Sequence, residues 1–288
     1  MAYWDISTAV YSGKSLYVGD LSTYGRSIRF KPDGLIMYLV DDTYNTIYQY
    51  TLSIAWEIFS AVYSGKCLAV GRQDDQPQDL SFNSDGSIMY MLGEETLTIF
   101  QYNSIVKKDT PWDISSYKYN RITLDISDTD REPFSLFFNP DGTKFYTLGT
   151  YYRGIFQYNL SVPWDITSGL FSGIFFYTGD QDLQPRIMSF SPDGKNLYIP
   201  GSITDTVYQY TLSIPWDLST VVYSNKYLYI GDLISTPYGI SFSINGSKMF
   251  ILARGPNIVY QYTLPEIPPP PPKKEASRTG IYSFNTLS

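Results

Sequence analysis

The sequence predicts an all-β protein: a five-bladed β-propeller with four antiparallel strands per blade, an N-terminal strand that closes the last blade, and a Pro-rich C-terminal arm. Three markers recur five times in fixed order, at a period of about 52 residues. The first is Trp4-Asp5-Ile6, which returns as Trp56-Glu57-Ile58, Trp112-Asp113-Ile114, Trp164-Asp165-Ile166 and Trp216-Asp217-Leu218. The second is Phe30-Lys31-Pro32-Asp33-Gly34, which recurs from Phe82, Phe138, Phe190 and Phe242 and ends at Gly86, Gly142, Gly194 and Gly246. The third is Ile47-Tyr48-Gln49-Tyr50, matched around Gln101, Gln157, Gln209 and Gln261.

Each repeat reads as four strands. In the first they fall at roughly Val10–Val18, Ser27–Phe30, Leu35–Val40 and Thr46–Leu52, where β-branched and aromatic residues lie between turn signals. Pro-Asp-Gly is turn chemistry, because Pro presets φ, Asp bonds its own backbone and Gly takes positive φ. The second and third strands therefore form a tight hairpin. Because the first Trp-led segment precedes the first hairpin, residues 8–18 are expected beside the strands at 239–264. That closes the ring and removes two exposed edges. The propeller is expected over 1–264, a Pro-rich spacer over 265–274 and a docking segment over 275–288.

The bulk numbers fit a packed β protein. Hydrophobic residues make up 43% and charged residues 17%, so a large core can form. The 28 tyrosines suit sheets whose faces pack while hydroxyl tips reach water. A net charge of -7 without a Lys/Arg cluster disfavours nucleic acid and anionic membrane as partners. Met1 runs straight into the first repeat without a secretory signal, so synthesis in a cytoplasm is expected.

Ser191-Pro192-Asp193-Gly194-Lys195-Asn196-Leu197-Tyr198 and Asn139-Pro140-Asp141-Gly142-Thr143-Lys144-Phe145-Tyr146 resemble blades of the lactonase-like and surface-layer propeller superfamily. The whole unit, with Trp-Asp-Ile-Ser and Tyr-Gln-Tyr-Thr-Leu-Ser, is similar to repeats of bacteriophage and bacterial surface proteins. The resemblance covers about 1–264 and implies the fold. The Trp-Asp pair is not a WD40 signature, since its Gly-His partner is missing.

Residues present in every blade read as architecture, because one binding site seldom needs five copies. The five Phe are expected between blades, the five Trp at blade junctions and the five Gln on loop backbone. A lectin with five equivalent sites is the other reading. Residues that vary are better ligand candidates. Arg26, Gln78, Phe134, Arg186 and Tyr238 stand just before the innermost strands, near one mouth of the channel. Two Arg, a Gln and two aromatics there suit a sugar or an anion; an ordinary loop surface is the alternative. Asp74-Asp75, Asp128-Thr129-Asp130 and Asp180-Gln181-Asp182 read as solvated turns or as Ca²⁺ loops without an EF-hand pattern, and no metal site is expected. Lys107-Lys108 falls in a longer surface loop.

The chain has no histidine, which removes Ser-His-Asp triads, Cys-His pairs and His-ligated zinc. A carboxylate pair remains available to a glycosidase. Among inner-strand counterparts, however, only Asp79 is acidic, beside Ser27, Ser135, Ile187 and Gly239. Cys67, the single cysteine, is expected to be packed in an outer strand. No cofactor and no catalysis are expected.

After Leu264 the composition changes to Pro265-Glu266-Ile267 and then five prolines, a semi-rigid spacer. Beyond it, Ile281, Tyr282, Phe284 and Leu287 are the expected anchors for strand addition to a partner. The expected function is thus that of a non-enzymatic structural protein of a bacteriophage virion, hung by its arm on a capsid or tail protein and possessed of a surface for a host glycan. A carbohydrate-binding propeller of a bacterial surface is the alternative.

Overall fold

The computed structural model describes residues 4–105 and 111–265. Twenty strands form five four-stranded antiparallel sheets among these residues. Blade one holds β2 (Gly25–Phe30), β3 (Ile36–Asp41), β4 (Thr46–Leu52) and β5 (Ala61–Ala69). Blade two holds β6 (Pro77–Phe82), β7 (Ile88–Gly93), β8 (Thr98–Ser104) and β9 (Tyr117–Asp125). Blade three holds β10 (Pro133–Phe138), β11 (Lys144–Gly149), β12 (Gly154–Leu160) and β13 (Gly169–Tyr177). Blade four holds β14 (Ser189–Phe190), β15 (Asn196–Gly201), β16 (Thr206–Leu212) and β17 (Val221–Tyr229). Blade five joins β18 (Pro237–Phe242), β19 (Lys248–Ala253) and β20 (Ile258–Thr263) to β1 (Val10–Tyr17).

The expected clasp is present. β1 pairs antiparallel with β20, from Val10 opposite Thr263 to Tyr17 opposite Ile258. The first strand of the chain is thus the outer strand of the last blade, and two edges become one ladder.

The hydrophobic core lies between blades. Tyr38, Val40 and Ile47 of blade one pack with Leu80, Met89 and Met91 of blade two. Ile28 and Met37 pack with Phe250 and Leu252 of blade five. Burying both faces of each blade explains why the strands next to the inner one read as near-continuous apolar runs rather than alternating ones.

The recurrent residues build these junctions. Each Phe packs on the Trp of its own blade, with Phe30 and Trp56 centroids 5.2 Å apart. Each Trp also covers its own hairpin glycine. Gly34 has φ of +73°, and a Cβ there would meet the Trp56 ring at 2.4 Å. Glycine is therefore required twice, for its backbone and for its lack of a side chain. The Trp carbonyl then faces the preceding blade. It accepts a bond from the Tyr38 hydroxyl at Trp112, Tyr90 at Trp164, Tyr146 at Trp216 and Tyr198 at Trp4.

Glutamine supplies a second stitch. Gln49, Gln157, Gln209 and Gln261 accept from the backbone N–H of Ile114, Leu218, Ile6 and Ile58 at 2.8–3.1 Å. Those N–H groups begin the 3-10 turn of the next blade. Gln101 departs from the pattern and donates to Asn103.

The junction between blades five and one lacks its tyrosine. Phe250 stands there instead, with its ring 6.2 Å from Trp56. Tyr146→Phe should cost about 1 kcal/mol, whereas Phe250→Tyr should gain a similar amount by supplying the missing donor. Urea denaturation midpoints check both, and an unshifted midpoint for Phe250→Tyr would show that the fifth junction has no use for the bond.

Candidate functional site

The inner strands converge on an axis that is closed by one side chain. Arg29, on β2, reaches across it and is only 9% exposed. Its Nε donates to the Leu80 carbonyl of blade two at 3.2 Å, and Nη1 donates to Ile240 of blade five at 3.2 Å. Nη2 donates to Leu136 of blade three at 3.3 Å and pairs with Asp79. Asp79 is fully buried, and its Oδ2 accepts from Ser135 Oγ and the Leu136 N–H, both at 3.0 Å. Ser135 Oγ in turn accepts from Met188 N in blade four at 3.2 Å. One polar network therefore touches all five blades.

That network decides the role of Asp79. The only acid among the inner-strand counterparts is paired with a guanidinium and walled from solvent. It is a structural anion here, with no face left for a substrate.

At the mouth where the blade-to-blade loops gather, the structure brings together all five ligand candidates read from the sequence. Arg186 lies over the Phe134 ring at 4.6 Å and the Tyr238 ring at 4.7 Å. Arg26 lies 5.6 Å from the same Tyr238 ring and donates to Asp42 through Nε at 2.6 Å. Gln78 donates to Glu94.

Sequence reasoning missed a second ring at this mouth. Asp42, Glu94, Thr150, Ser202 and Arg254 each follow the second strand of a blade. Arg254 lies 4.8 Å from Tyr238 and 4.4 Å from Tyr24, and it donates to the Tyr238 hydroxyl at 2.5 Å. The signal was available: hairpin register sets the residue after β3 beside the one before the core of β2, so the two variable positions come as pairs.

Three guanidinium groups thus surround one phenol ring. Arg26 has a carboxylate partner, but among the described residues no carboxylate lies within ion-pair distance of Arg186 or Arg254. Arg186 has one bond, to Gln184 Oε1 at 3.4 Å, and its buried Nε has no partner. Burial, opposed by Tyr238 and reinforced by the charges of Arg26 and Arg254, lowers its pKa. Burial also raises the pKa of Glu94, with Arg26 acting against it. The mouth is a mixed-charge and aromatic site: Asp42, Glu94 and Glu132 stand near Arg26, Arg186 and Arg254, but only Arg26 is paired with a carboxylate among the described residues.

Two other expectations are corrected. In the acidic loops Asp75, Asp128 and Asp180 are exposed as expected, but Asp74, Asp130 and Asp182 are not solvated and are at most 4% exposed. Asp182 accepts from Gln184 N, Thr204 N and Thr204 Oγ1, and Asp74 makes the same set of bonds with Gln76 and Thr96. These carboxylates staple loops, because donors hold the oxygens a cation would need. Cys67 is exposed rather than packed, because it falls on the outward face of edge strand β5. The expected anchors Ile281, Tyr282, Phe284 and Leu287, and Lys107-Lys108, lie outside the described residues.

Asp130 is the staple that fails. Tyr152 stands where blades two and four have Thr96 and Thr204, so the threonine donors found there are missing, and Oδ2 is left buried with only the Thr147 hydroxyl nearby and no well-formed hydrogen bond. Burial, only partly offset by the Glu132 N–H and the Thr147 hydroxyl, pushes its pKa up from 3.8 to about 6.

No family model matches the chain, and no curated protein matches it significantly. Solved structures do. A protein of Bacteroides uniformis ATCC 8492, provisionally named a 6-phosphogluconolactonase, is 14% identical, with a TM-score of 0.50 over 89% of this chain and 80% of that one. A luciferin-regenerating enzyme is 11% identical, with a TM-score of 0.50 over 87% and 95%. A protein of unknown function from Desulfotomaculum acetoxidans DSM 771 is 13% identical, with a TM-score of 0.49 over 80% of this chain; this chain spans 62% of that one. The first two likenesses support the propeller fold, and fold alone assigns no activity.

Arg29→Met should destabilise the disc by about 3–5 kcal/mol by leaving Asp79 charged and unpaired, and adding Asp79→Asn should recover part of that loss in the same denaturation assay. Asp130 gives stability that is full below pH 3.8 and lost as pH rises through about 6. Asp130→Asn should flatten that window and gain about 2–3 kcal/mol at pH 7, read from denaturation midpoints at pH 4 and pH 7.

Proposed function

We propose that the protein is a non-enzymatic binding propeller that recognises an acidic glycan at the loop mouth. The observation that carries this is the pair of guanidiniums, Arg186 and Arg254, both stacked on Tyr238 and both without a carboxylate partner among the described residues. A ligand carboxylate would relieve their mutual repulsion and satisfy the buried Nε of Arg186. Gln78 and Glu94 offer polar partners for hydroxyl groups. The reading as a binder rather than a catalyst is supported by the lack of histidine and by the confinement of Asp79 within an ion pair.

The setting proposed for this binding is a bacteriophage particle made in the host cytoplasm, with a capsid or tail protein holding the C-terminal arm. Only the resemblance of the repeats and the composition of the arm support it. Mass spectrometry of purified virions tests the setting: a stoichiometric band fits, and its absence would favour a bacterial surface.

Binding is tested by calorimetric titration of the full chain with glucuronate, with glucose and inorganic phosphate as separate arms. Glucuronate should bind, glucose should not, and Arg186→Gln should weaken glucuronate about tenfold, equivalent to about 1.4 kcal/mol. Equal binding of glucose would overturn the role of charge. Turnover of a sugar lactone by the protein would overturn the non-enzymatic reading.

A further inference from the structure

Blade three carries an aromatic box on the outer part of one face. Its floor is Phe156 of β12, only 7% exposed. Phe171 and Phe175 of β13 stand against that ring, with centroids 5.8 and 4.8 Å away and planes turned by 66° and 45°. Tyr152, from the turn between β11 and β12, makes a third wall at 5.9 Å and 79°. The three walls are 40–41% exposed. With Asp128 and Thr129, from the loop that precedes β10, these rings line a cleft of about 270 Å³. A bulge in β13 sets Phe171 opposite Tyr158 and Phe175 opposite Phe156, which brings both walls onto one face.

The other blades separate architecture from addition. Rings at the Phe156 and Phe171 places recur, as Tyr48 and Tyr63 in blade one and Tyr208 and Tyr223 in blade four. The Phe175 place, fixed by the same register, holds Cys67, Thr123, Tyr227 and Ser15 elsewhere. The Tyr152 place holds Tyr44, Thr96, Thr204 and Pro256. Blade three alone has aromatic residues at both places. Tyr152 is also the residue that denies Asp130 the threonine donors kept by blades two and four. A place that gives up a contact kept by its counterparts is where function is expected to sit.

Charge points to the occupant. Asp128 is exposed at the rim, and no cationic side chain lies within ion-pair distance of it among the described residues. Just outside the box, Tyr151 meets Tyr152 edge to face at 4.8 Å and 78°, and Arg131 lies 5.7 Å from the Tyr151 ring. The cluster therefore already draws a cation to its outer ring. Aromatic faces are negative, so rings set steeply around one point favour positive charge there. A primary ammonium is strongly hydrated and brings three donors, for which a box of rings has few acceptors. A quaternary ammonium has no N–H to satisfy and spreads its charge over methyl groups. We infer that this box binds a quaternary ammonium group such as the head of choline, with the Asp128 carboxylate balancing its charge. The box shares no residue with the glycan mouth, so either site can stand without the other.

Calorimetric titration of the full chain tests this with three probes: choline, its neutral isostere with a tert-butyl group in place of trimethylammonium, and ethanolamine. Choline should bind, and the other two should bind at least about tenfold more weakly. Phe175→Thr installs the residue that blade two has at this place and should weaken choline about tenfold, while Asp128→Asn should weaken it about threefold. A cooperative urea transition checks that each variant is folded. Absence of choline binding, equal binding of choline and the isostere by the natural chain, or undiminished choline binding by folded Phe175→Thr would each overturn the proposal. The isostere comparison needs no variant, so it decides the matter even if a substitution disturbs the blade.

Discussion

The axial ion pair of Arg29 and Asp79 is the constraint on which the ring depends. A five-bladed ring leaves little width at its centre, and every inner strand brings backbone polar groups to it. Here one guanidinium bonds carbonyls of three other blades, and its carboxylate partner passes the network to the fourth through Ser135. Arginine suits the place because its donors are spread in a plane and its charge cannot be given up. The network also explains a local irregularity. The Met188 N–H turns to Ser135, and β14 is reduced to Ser189–Phe190 with an isolated bridge at Pro185.

Farther from the axis, the tryptophans set the spacing of the blades. Trp56, Trp164 and Trp216 have φ of 61–65°, a left-handed backbone that is costly for a bulky residue. It is held because the indole covers a glycine and the Trp N–H donates to that glycine's carbonyl. At Trp164 and Trp216 the carbonyl also accepts a tyrosine hydroxyl from the preceding blade. Packing over-determines the conformation, as expected of strained positions that persist. The five-fold plan is then broken at single places. Phe250 omits one hydroxyl, Gln101 omits one stitch and Tyr152 leaves one oxygen of Asp130 without the threonine donors of the other blades.

Most of the fold was legible in the sequence because repetition makes it so. Strand count, the Pro-Asp-Gly hairpins and the closing role of residues 10–17 all follow from markers that recur in order. The stacking of Trp on Gly was hidden, because Trp56 and Gly34 are separated by two strands and only register brings them together. The five mouth residues were legible as exceptions to a repeat. Arg254 was not, because it follows the second strand of its blade and only the β18–β19 register brings it beside Tyr238. The acidic loops misled because composition marks turns and is blind to burial: Asp74 and Asp182 look like solvent-facing residues until Thr96 and Thr204 supply their donors. Asp79 was visible as an odd acid, but its partner sits on another blade, and a linear pattern holds no such pairing.

The clasp has a mechanical consequence. Val10 lies opposite Thr263, so the two chain ends enter and leave at one end of the β1–β20 ladder. Tension applied between them would load the ladder's hydrogen bonds one after another, as a zipper is opened, rather than all together in shear. The ring therefore has a weak direction, along the line joining its own ends. A pull on only one end, against the body of the disc, would leave that zipper unloaded, and the ring would give way only by disrupting the packed junctions.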